Sequence, residues 1–174
     1  MTALPLAARP AGRPAVLIVA YGQPAPQGSK NAFRNQHTGR IQQVESSKKV
    51  KPWRDDVKAA AERVLAGLVR PGEDWAPLDG PLAVRMVFTV ARPAGHYGTG
   101  RNTGTVRASA PTWPAGTPDL SKLARSTEDA LTAAGVWRDD ARVVEYGRLA
   151  KVYAGEDADA LDRPGVRITV ERAV

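Results

Sequence analysis

The 174-residue sequence contains no cysteine and only two histidines, His37 and His96. The absence of cysteine excludes disulfide bonds, zinc ribbons and thiol catalysis, and two histidines are too few for a histidine-rich metal site. No hydrophobic run approaches the roughly 18 residues that a membrane span needs. The N-terminal residues also lack the continuous apolar segment of a signal peptide. We therefore expect a cytoplasmic protein without a membrane partner.

Positive charge exceeds negative charge along the chain. Lys and Arg number 25 against 18 Asp and Glu, which gives a net charge of +7 and a pI near 10.0. This balance favours a polyanionic partner, with nucleic acid first and an anionic membrane surface second. The length and the hydrophobic content of 43% are typical of one globular domain. We expect a flexible tail over residues 1–14 and a single domain over residues 15–174.

The spacing of apolar residues predicts an α+β domain with a mixed β-sheet and two main helices packed on it. The expected helices span residues 51–69 and 120–134, and the segments 22–40 and 92–118 are expected to be loops. The expected strands span residues 15–21, 82–91, 142–153 and 166–171. The last two strands are expected to pair as a hairpin.

Carboxylates gather in one stretch of this basic chain, residues 117–140. Asp119 follows Pro118 at the expected start of the second helix, where a carboxylate can accept backbone N–H bonds as an N-cap. Capping and catalysis are therefore both open for Asp119. Within the helix, Glu128 and Asp129 are expected to be solvated, and a helical wheel also places Ser126 on the exposed face.

The sequence Trp-Arg-Asp-Asp at residues 137–140 strengthens the case for a functional site. Trp137 is expected to be buried, and the adjacent Asp139 and Asp140 repel each other unless a cation or a hydrogen-bonding turn compensates. If the start of the helix and the start of the next strand converge, Asp119 lies near this pair. Oxygen ligands without histidine or cysteine suit Mg²⁺. A Mg²⁺ site among lysines and arginines predicts a reaction at the phosphodiester of a nucleic acid.

These motifs resemble the RusA family of Holliday-junction resolvases, which are homodimeric, Mg²⁺-dependent endonucleases of bacteria and their phages. The family pattern reads Pro-Asp-x-Asp-Asn-Leu, a Lys two residues on, Asp-Ala-Leu, then Trp-x-Asp-Asp before a Val-Val strand that ends in Lys. The matching residues are Pro118, Asp119, Leu123, Asp129, Ala130, Leu131, Trp137, Asp139, Asp140, Val143, Val144 and Lys151. The resemblance covers most of the chain and implies branched DNA with a four-way junction as the substrate. It also implies Mg²⁺ as the cofactor, with Mn²⁺ as an alternative ion.

Three positions depart from the family pattern. Ser121 stands where the family has its second Asp, Lys122 replaces the Asn, and Arg125 replaces the Lys. Arginine keeps the charge but not the compact ammonium geometry, and serine removes a presumed metal ligand. The resemblance implies metal binding by Asp119 and Asp140, with Asp139 as the third choice, and a catalytic centre that includes Ser121, Lys122 and Arg125.

Basic residues in the two predicted loops are candidates for binding DNA phosphates. Their glycines do not follow a strand into a helix at the spacing of nucleotide-binding motifs, so no nucleotide cofactor is expected. The alternative is that these loops are disordered. The candidates are Lys30, Arg34, Arg92, His96, Arg101 and Arg107, together with Lys151 at the end of a predicted strand.

Three functional hypotheses remain open at this point. The first is a Mg²⁺-dependent endonuclease that cuts four-way junctions as a homodimer in the cytoplasm of a bacterium or of a phage-infected host. The second is a branched-DNA-binding protein that has lost catalysis through Ser121. The third is a nuclease that prefers flaps or forks.

Overall fold

The computed structural model describes residues 16–28, 30–34, 41–45 and 48–173, with only the backbone described for 30–34 and 41–45. The expected tail, residues 1–14, lies outside this part of the chain. The strands are β1 (Val16–Tyr21), β2 (Lys30–Arg34), β3 (Ile41–Glu45), β4 (Leu82–Val90), β5 (Val143–Tyr153) and β6 (Gly165–Arg172). The helices are α1 (Val50–Leu68) and α2 (Leu120–Ala133), with short 3₁₀ turns at Ala94–His96, Gly100–Asn102 and Asp140–Arg142.

Four strands form one mixed sheet in the order β1-β6-β4-β5. β6 pairs antiparallel with both β1 and β4, whereas β4 and β5 are parallel. The two helices and this mixed sheet confirm the predicted α+β fold. β2 and β3 form a separate antiparallel pair. The loop predicted over residues 22–40 is therefore wrong where it includes β2, whose polar residues conceal the strand in the sequence.

The predicted hairpin of the last two strands is wrong, because β4 lies between them in the sheet. Each of the two strands pairs with β4 along most of its length. β4 carries the most continuous apolar sequence and is buried at eight of its nine positions. A strand that is buried on both faces is favoured at the centre of a sheet. For β4 this effect is stronger than the tendency of β5 and β6, which are neighbours in sequence, to pair as a hairpin.

The helix α1 buries one face through residues spaced three and four apart, among them Val50, Trp53, Val57 and Leu65. Trp53 is 1% exposed, and its ring centroid lies 6.4 Å from that of Phe88 in β4. Its Nε1 donates a hydrogen bond to Oγ1 of Thr127 in α2 at 3.2 Å. One side chain thus holds both helices against the sheet. Among the described residues, no helix is long and apolar enough to cross a membrane.

The parallel pairing of β4 with β5 places the chain connections at defined ends of the sheet. β4 and β5 finish together, with Val90 opposite Tyr153, and β1 finishes at the same edge. We call this edge the loop end, because it carries residues 22–28, residues 92–118 and the first turn of α2. α2 runs from the loop end back toward the start of β5, as the crossover between parallel strands requires.

Candidate functional site

Asp119 occupies the N-cap position of α2, as the sequence predicted. Its backbone is extended there, but its side chain makes no capping hydrogen bond. The carboxylate Oδ2 instead forms an ion pair with Lys122 Nζ at 3.0 Å, and both side chains are more than half exposed. Because the capping role is not exercised, the carboxylate is accessible to a ligand from solvent.

The residues that depart from the family pattern lie on the solvent side of the first turns of α2. Ser121, Lys122 and Arg125 are all exposed. On a helix of 3.6 residues per turn, Ser121 and Arg125 lie one above the other. This surface therefore offers a hydroxyl and a guanidinium near the start of α2, together with the ammonium of Lys122 that pairs with Asp119.

Lys151 joins the end of β5 to the segment that precedes Asp119. Its Nζ donates to the carbonyl oxygen of Pro118 at 2.7 Å and also to that of Gly116. In addition, Gln27 N donates to the carbonyl oxygen of Lys122 at 3.0 Å. Contacts from two other segments thus hold the start of α2, which limits the positions that the Asp119 carboxylate can take.

Asp139 and Asp140 lie at the other end of α2, where β5 begins. The 14 residues of α2 extend ~21 Å, so the expected convergence of Asp119 with this pair within one chain is wrong. The reason is the parallel crossover, which puts the start of the helix and the start of the following strand at opposite ends of the sheet. Asp139 caps the 3₁₀ turn by accepting a hydrogen bond from Ala141 N at 2.8 Å, and both Asp139 and Asp140 are exposed.

Glu128 was expected to be a solvated surface charge, yet it is half-buried against β5 and accepts a hydrogen bond from the Tyr146 hydroxyl. Burial raises the pKa of the Glu128 carboxyl above its usual value, and the negative charges of Asp140 and Asp129 raise it further. The Tyr146 hydrogen bond and Arg125 act in the opposite direction. Burial also raises the pKa of the Tyr146 hydroxyl. The sequence did not predict the contact between Tyr146 and Glu128, because it did not reveal where the strand that carries Tyr146 lies in the sheet.

Replacing Glu128 by glutamine is expected to raise the free energy of unfolding at pH 7. A carboxyl whose pKa is raised by folding stabilises the native state below its unfolded pKa, and this contribution is lost as the pH rises through the folded value. Glutamine keeps an acceptor for the Tyr146 hydroxyl without the charge. Denaturant unfolding at pH 7 and pH 4 measures the effect, which should shrink at pH 4. Glu62→Gln, on the exposed side of α1, is the control. Equal destabilisation by Glu128→Gln at both pH values would contradict the prediction.

Two other polar residues of α2 are more buried than the sequence suggested. Asp129 is half-buried, and its Oδ2 lies 2.5 Å from Arg54 Nη2 and 3.4 Å from Gln27 Nε2. Ser126 is completely buried. α2 contacts α1 on one side and β5 on another. These two contacts cover more of the surface of α2 than packing on a sheet alone would cover. The predicted exposed face of the helix is therefore wrong at Ser126 and Asp129.

The long segment 92–118 is folded through its own backbone hydrogen bonds. Gly98 N donates to the carbonyl oxygen of Thr105, and Arg107 N donates to that of His96, each at 2.9 Å. A Cβ at Gly98 would lie 2.6 Å from the backbone oxygen of Asn102, so this close turn requires glycine. The alternative of a disordered loop therefore does not describe this segment.

The basic residues of this segment divide into two groups. Arg92 is a structural residue, since its side chain is 5% exposed, pairs with Glu156, donates to Pro111 O at 3.0 Å and lies over the Tyr153 ring. Arg101 and Arg107 are exposed at the loop end, although Arg107 Nε donates to Tyr97 O at 2.7 Å. His96 is half-buried. For Lys30 and Arg34, the side chains lie outside the described part of the structure.

The donor atoms around Asp119 suit a hard cation. They include the carboxylate of Asp119 and the exposed hydroxyl of Ser121, and oxygen atoms are the ligands that Mg²⁺ prefers. The described residues contain no group of three or more His, Asp or Glu side chains placed to hold a metal ion. Mg²⁺ usually keeps several waters and takes only one or two carboxylates together with substrate phosphates. The residues therefore fit a Mg²⁺ ion that is held largely by water and phosphate.

The chain matches a known protein family. The family model described as Endodeoxyribonuclease RusA matches residues 22–171, which is more than half of the chain. The matched range includes both ends of α2, the 92–118 segment, β4, β5 and all but the last residue of β6. No curated protein matches the sequence significantly.

Proposed function

We propose, from the premise that the chain belongs to the Endodeoxyribonuclease RusA family, that it resolves four-way DNA junctions in a Mg²⁺-dependent reaction. Membership makes the protein an endodeoxyribonuclease, a hydrolase of phosphodiester bonds, and implies that it resolves Holliday junctions. The cation, the homodimer and a role in recombination and repair in the cytoplasm are parts of the proposal.

The observation that carries the proposal is the position of Asp119. Its carboxylate is exposed and uncapped at the loop end, where Lys122, Lys151, Arg101 and Arg107 also lie. An exposed acid in a basic surface is favourable for a nuclease, because the positive field attracts the DNA backbone to the carboxylate that would hold the cation.

Asp119 and Asp140 are the proposed ligands of Mg²⁺, with Asp139 third because its side chain is occupied in capping the 3₁₀ turn. When bound, Mg²⁺ polarises a phosphoryl oxygen and lowers the pKa of a coordinated water. Asp119 would hold the ion from the N-cap position of α2. Ser121 supplies a neutral hydroxyl in the same turn.

The cationic side chains would contact the phosphate itself. Arg125 is exposed one helical turn after Ser121, and its guanidinium can hold two phosphate oxygens at once. Lys122 neutralises Asp119 in the free protein at 3.0 Å and would move to a phosphate oxygen when DNA arrives. Lys151 has a positioning role instead, because its Nζ binds the carbonyl oxygens of Gly116 and Pro118 and so holds the segment that precedes Asp119.

A homodimer gives Asp119 and Asp140 a way to act on the same phosphate. One chain holds them at opposite ends of α2, so a second copy is needed to bring the Asp140 surface beside Asp119. Two copies related by a two-fold axis would also place two equivalent sites on a junction, whose strands have matching symmetry. Paired nicks are the expected result.

Cleavage of a labelled four-way junction in the presence of Mg²⁺ tests the proposal. We expect Mg²⁺-dependent nicks in opposing strands, with no cleavage in EDTA and much slower cleavage of a linear duplex of the same sequence. Parallel reactions on a flap and a fork test the preference for four-way branches. Faster cutting of either would replace the junction as the proposed substrate.

The second candidate function is DNA binding without catalysis, and Ser121 is the observation that favours it. The structure leaves this position with an exposed hydroxyl in place of the carboxylate of the family pattern. Junction binding without cleavage in Mg²⁺ and in Mn²⁺ alike would support this candidate and exclude the nuclease proposal.

A further inference from the structure

A cavity of about 340 Å³ opens at the loop end, next to the start of α2. Thr117 and Pro118, the two residues before Asp119, form part of its lining, and Lys151 braces the same segment. The volume is near the lower limit of the ~300–1,000 Å³ range of small-molecule sites. The cavity is therefore large enough for one planar ring system.

Two aromatic residues form walls of this cavity. Tyr153 is buried and held in place, with the His96 ring against it edge-on at 5.8 Å between centroids and Arg92 4.2 Å from its centroid. Trp113 is 57% exposed, so much of its indole is free to contact a ligand. A fixed wall and an open indole suit the stacking of a flat aromatic group.

One residue of the cavity lining carries a hydrogen-bonding atom without a partner. His96 lines the cavity, and its buried Nδ1 has no hydrogen-bond partner within the part of the chain that the structure describes. A buried polar atom without a partner costs free energy, which a ligand recovers when the imidazole turns this nitrogen toward the cavity. A histidine ring nitrogen can donate or accept according to its tautomer, so the ligand needs a polar edge as well as an aromatic face.

The charges around the cavity identify the molecule that would carry such a group. Arg101 and Arg107 are exposed on the segment that lines it, and the exposed Lys122 lies in the first turn of α2. A flat heterocycle with a polar edge, attached to a polyanion, is a nucleobase on a DNA strand.

We propose that this cavity binds a single unstacked base of the DNA, with the base stacked on Trp113 and hydrogen-bonded to His96. The proposal rests on the proposed function, because a branch point supplies the unstacked base. Unstacking costs least where pairing is already interrupted. The cavity therefore favours branched over linear DNA without reading the sequence of the strand, since every base has an aromatic face.

Binding measured in EDTA, which prevents Mg²⁺-dependent cleavage, tests the cavity separately from catalysis. Trp113→Ala is expected to weaken binding of an immobile four-way junction by about tenfold, within the range of about fivefold to about 150-fold for the loss of one stacked base. Binding of a linear duplex should not change. Trp113→Phe keeps a stacking surface and should retain most of the junction affinity. Leu68→Ala, which truncates an exposed side chain outside the cavity, is the matched control.

Tryptophan fluorescence gives a second readout. Trp53 and Trp137 are buried and Trp75 is partly buried, so quenching by a stacked base reports on Trp113. We expect a single-stranded oligonucleotide and the junction both to quench the wild type, and neither to quench Trp113→Phe. Unchanged junction binding by Trp113→Ala, or an equal loss for junction and duplex, overturns the proposal. If the wild type neither prefers nor cuts the junction, the proposed function fails, and quenching by the single strand still decides whether the cavity binds a base.

Discussion

Replacing Asp119 by asparagine is expected to reduce Mg²⁺-dependent cleavage of a four-way junction by at least about a hundredfold. Even residues that only orient a metal ligand cost about 10–100-fold in metal affinity or activity when they are replaced, and Asp119 is proposed to hold the ion itself. Junction affinity in EDTA should stay the same or improve, because asparagine no longer repels the phosphates. Single-turnover cleavage and a gel-shift titration measure the two effects.

The fold should tolerate this change, which separates catalysis from capping. Asparagine and aspartate are about equally good N-caps, and the Asp119 side chain makes no capping hydrogen bond. The melting temperature is therefore expected to stay close to that of the wild type. Asp162→Asn, at an exposed carboxylate next to Arg163, is the control and should cut normally. A joint loss of cleavage, binding and thermal stability would instead assign Asp119 a structural role.

The same variant examines whether the site is shared between two copies. If Asp119 of one chain acts with Asp140 of the other, a mixture of Asp119→Asn and Asp140→Asn chains contains heterodimers with one intact site. Such a mixture should nick junctions although each variant alone does not. No recovery after the subunits have exchanged would mean that each chain builds its site alone, with Asp140 outside it.

The sequence predicted the individual elements well where the apolar spacing is regular. The helix expected over residues 120–134 is observed at Leu120–Ala133, and the strand expected over 82–91 is observed at Leu82–Val90. The burial of Trp137 is also confirmed, at 1% exposure. These features follow from the local spacing of apolar residues and from the tendency of large apolar side chains to be buried, and both can be read from a single sequence.

The arrangement of those elements could not be predicted in the same way. Strand order depends on which pairing buries the most apolar surface, so the placement of β4 between β5 and β6 became evident only in the folded chain. That placement decides that Asp119 and Asp140 lie at opposite ends of α2. It also brings Tyr146 to Glu128 across 18 positions of sequence. Contacts between distant residues carry no periodic pattern, which is why the candidate site was predicted residue by residue but not as a geometry.

Restoring the missing carboxylate with Ser121→Asp is expected to lower the Mg²⁺ concentration needed for half-maximal cleavage by about tenfold, comparable to the ~10–100-fold effects of single groups around a metal. Position 121 lies in the first turn of α2, where the helix dipole favours an anion. It is also exposed, so a longer side chain meets no steric barrier. A titration of cleavage rate against Mg²⁺ measures the change, and the rise in melting temperature on adding Mg²⁺ measures binding without catalysis.

Ser121→Asn distinguishes a gain in ligand charge from a change in shape, since asparagine matches aspartate in size but is neutral. We expect Ser121→Asn to resemble the wild type in both titrations. Lys122 can mask the effect of Ser121→Asp on Mg²⁺ binding, because its ammonium already pairs with Asp119 at 3.0 Å and would attract the new carboxylate as well. If Ser121→Asp leaves the Mg²⁺ requirement unchanged while Ser121→Asp combined with Lys122→Asn lowers it, serine and lysine form a matched pair. In that case the chain has exchanged a ligand for a cation, and the ammonium of Lys122 supplies beside Asp119 part of the positive charge that a more weakly held metal ion would provide.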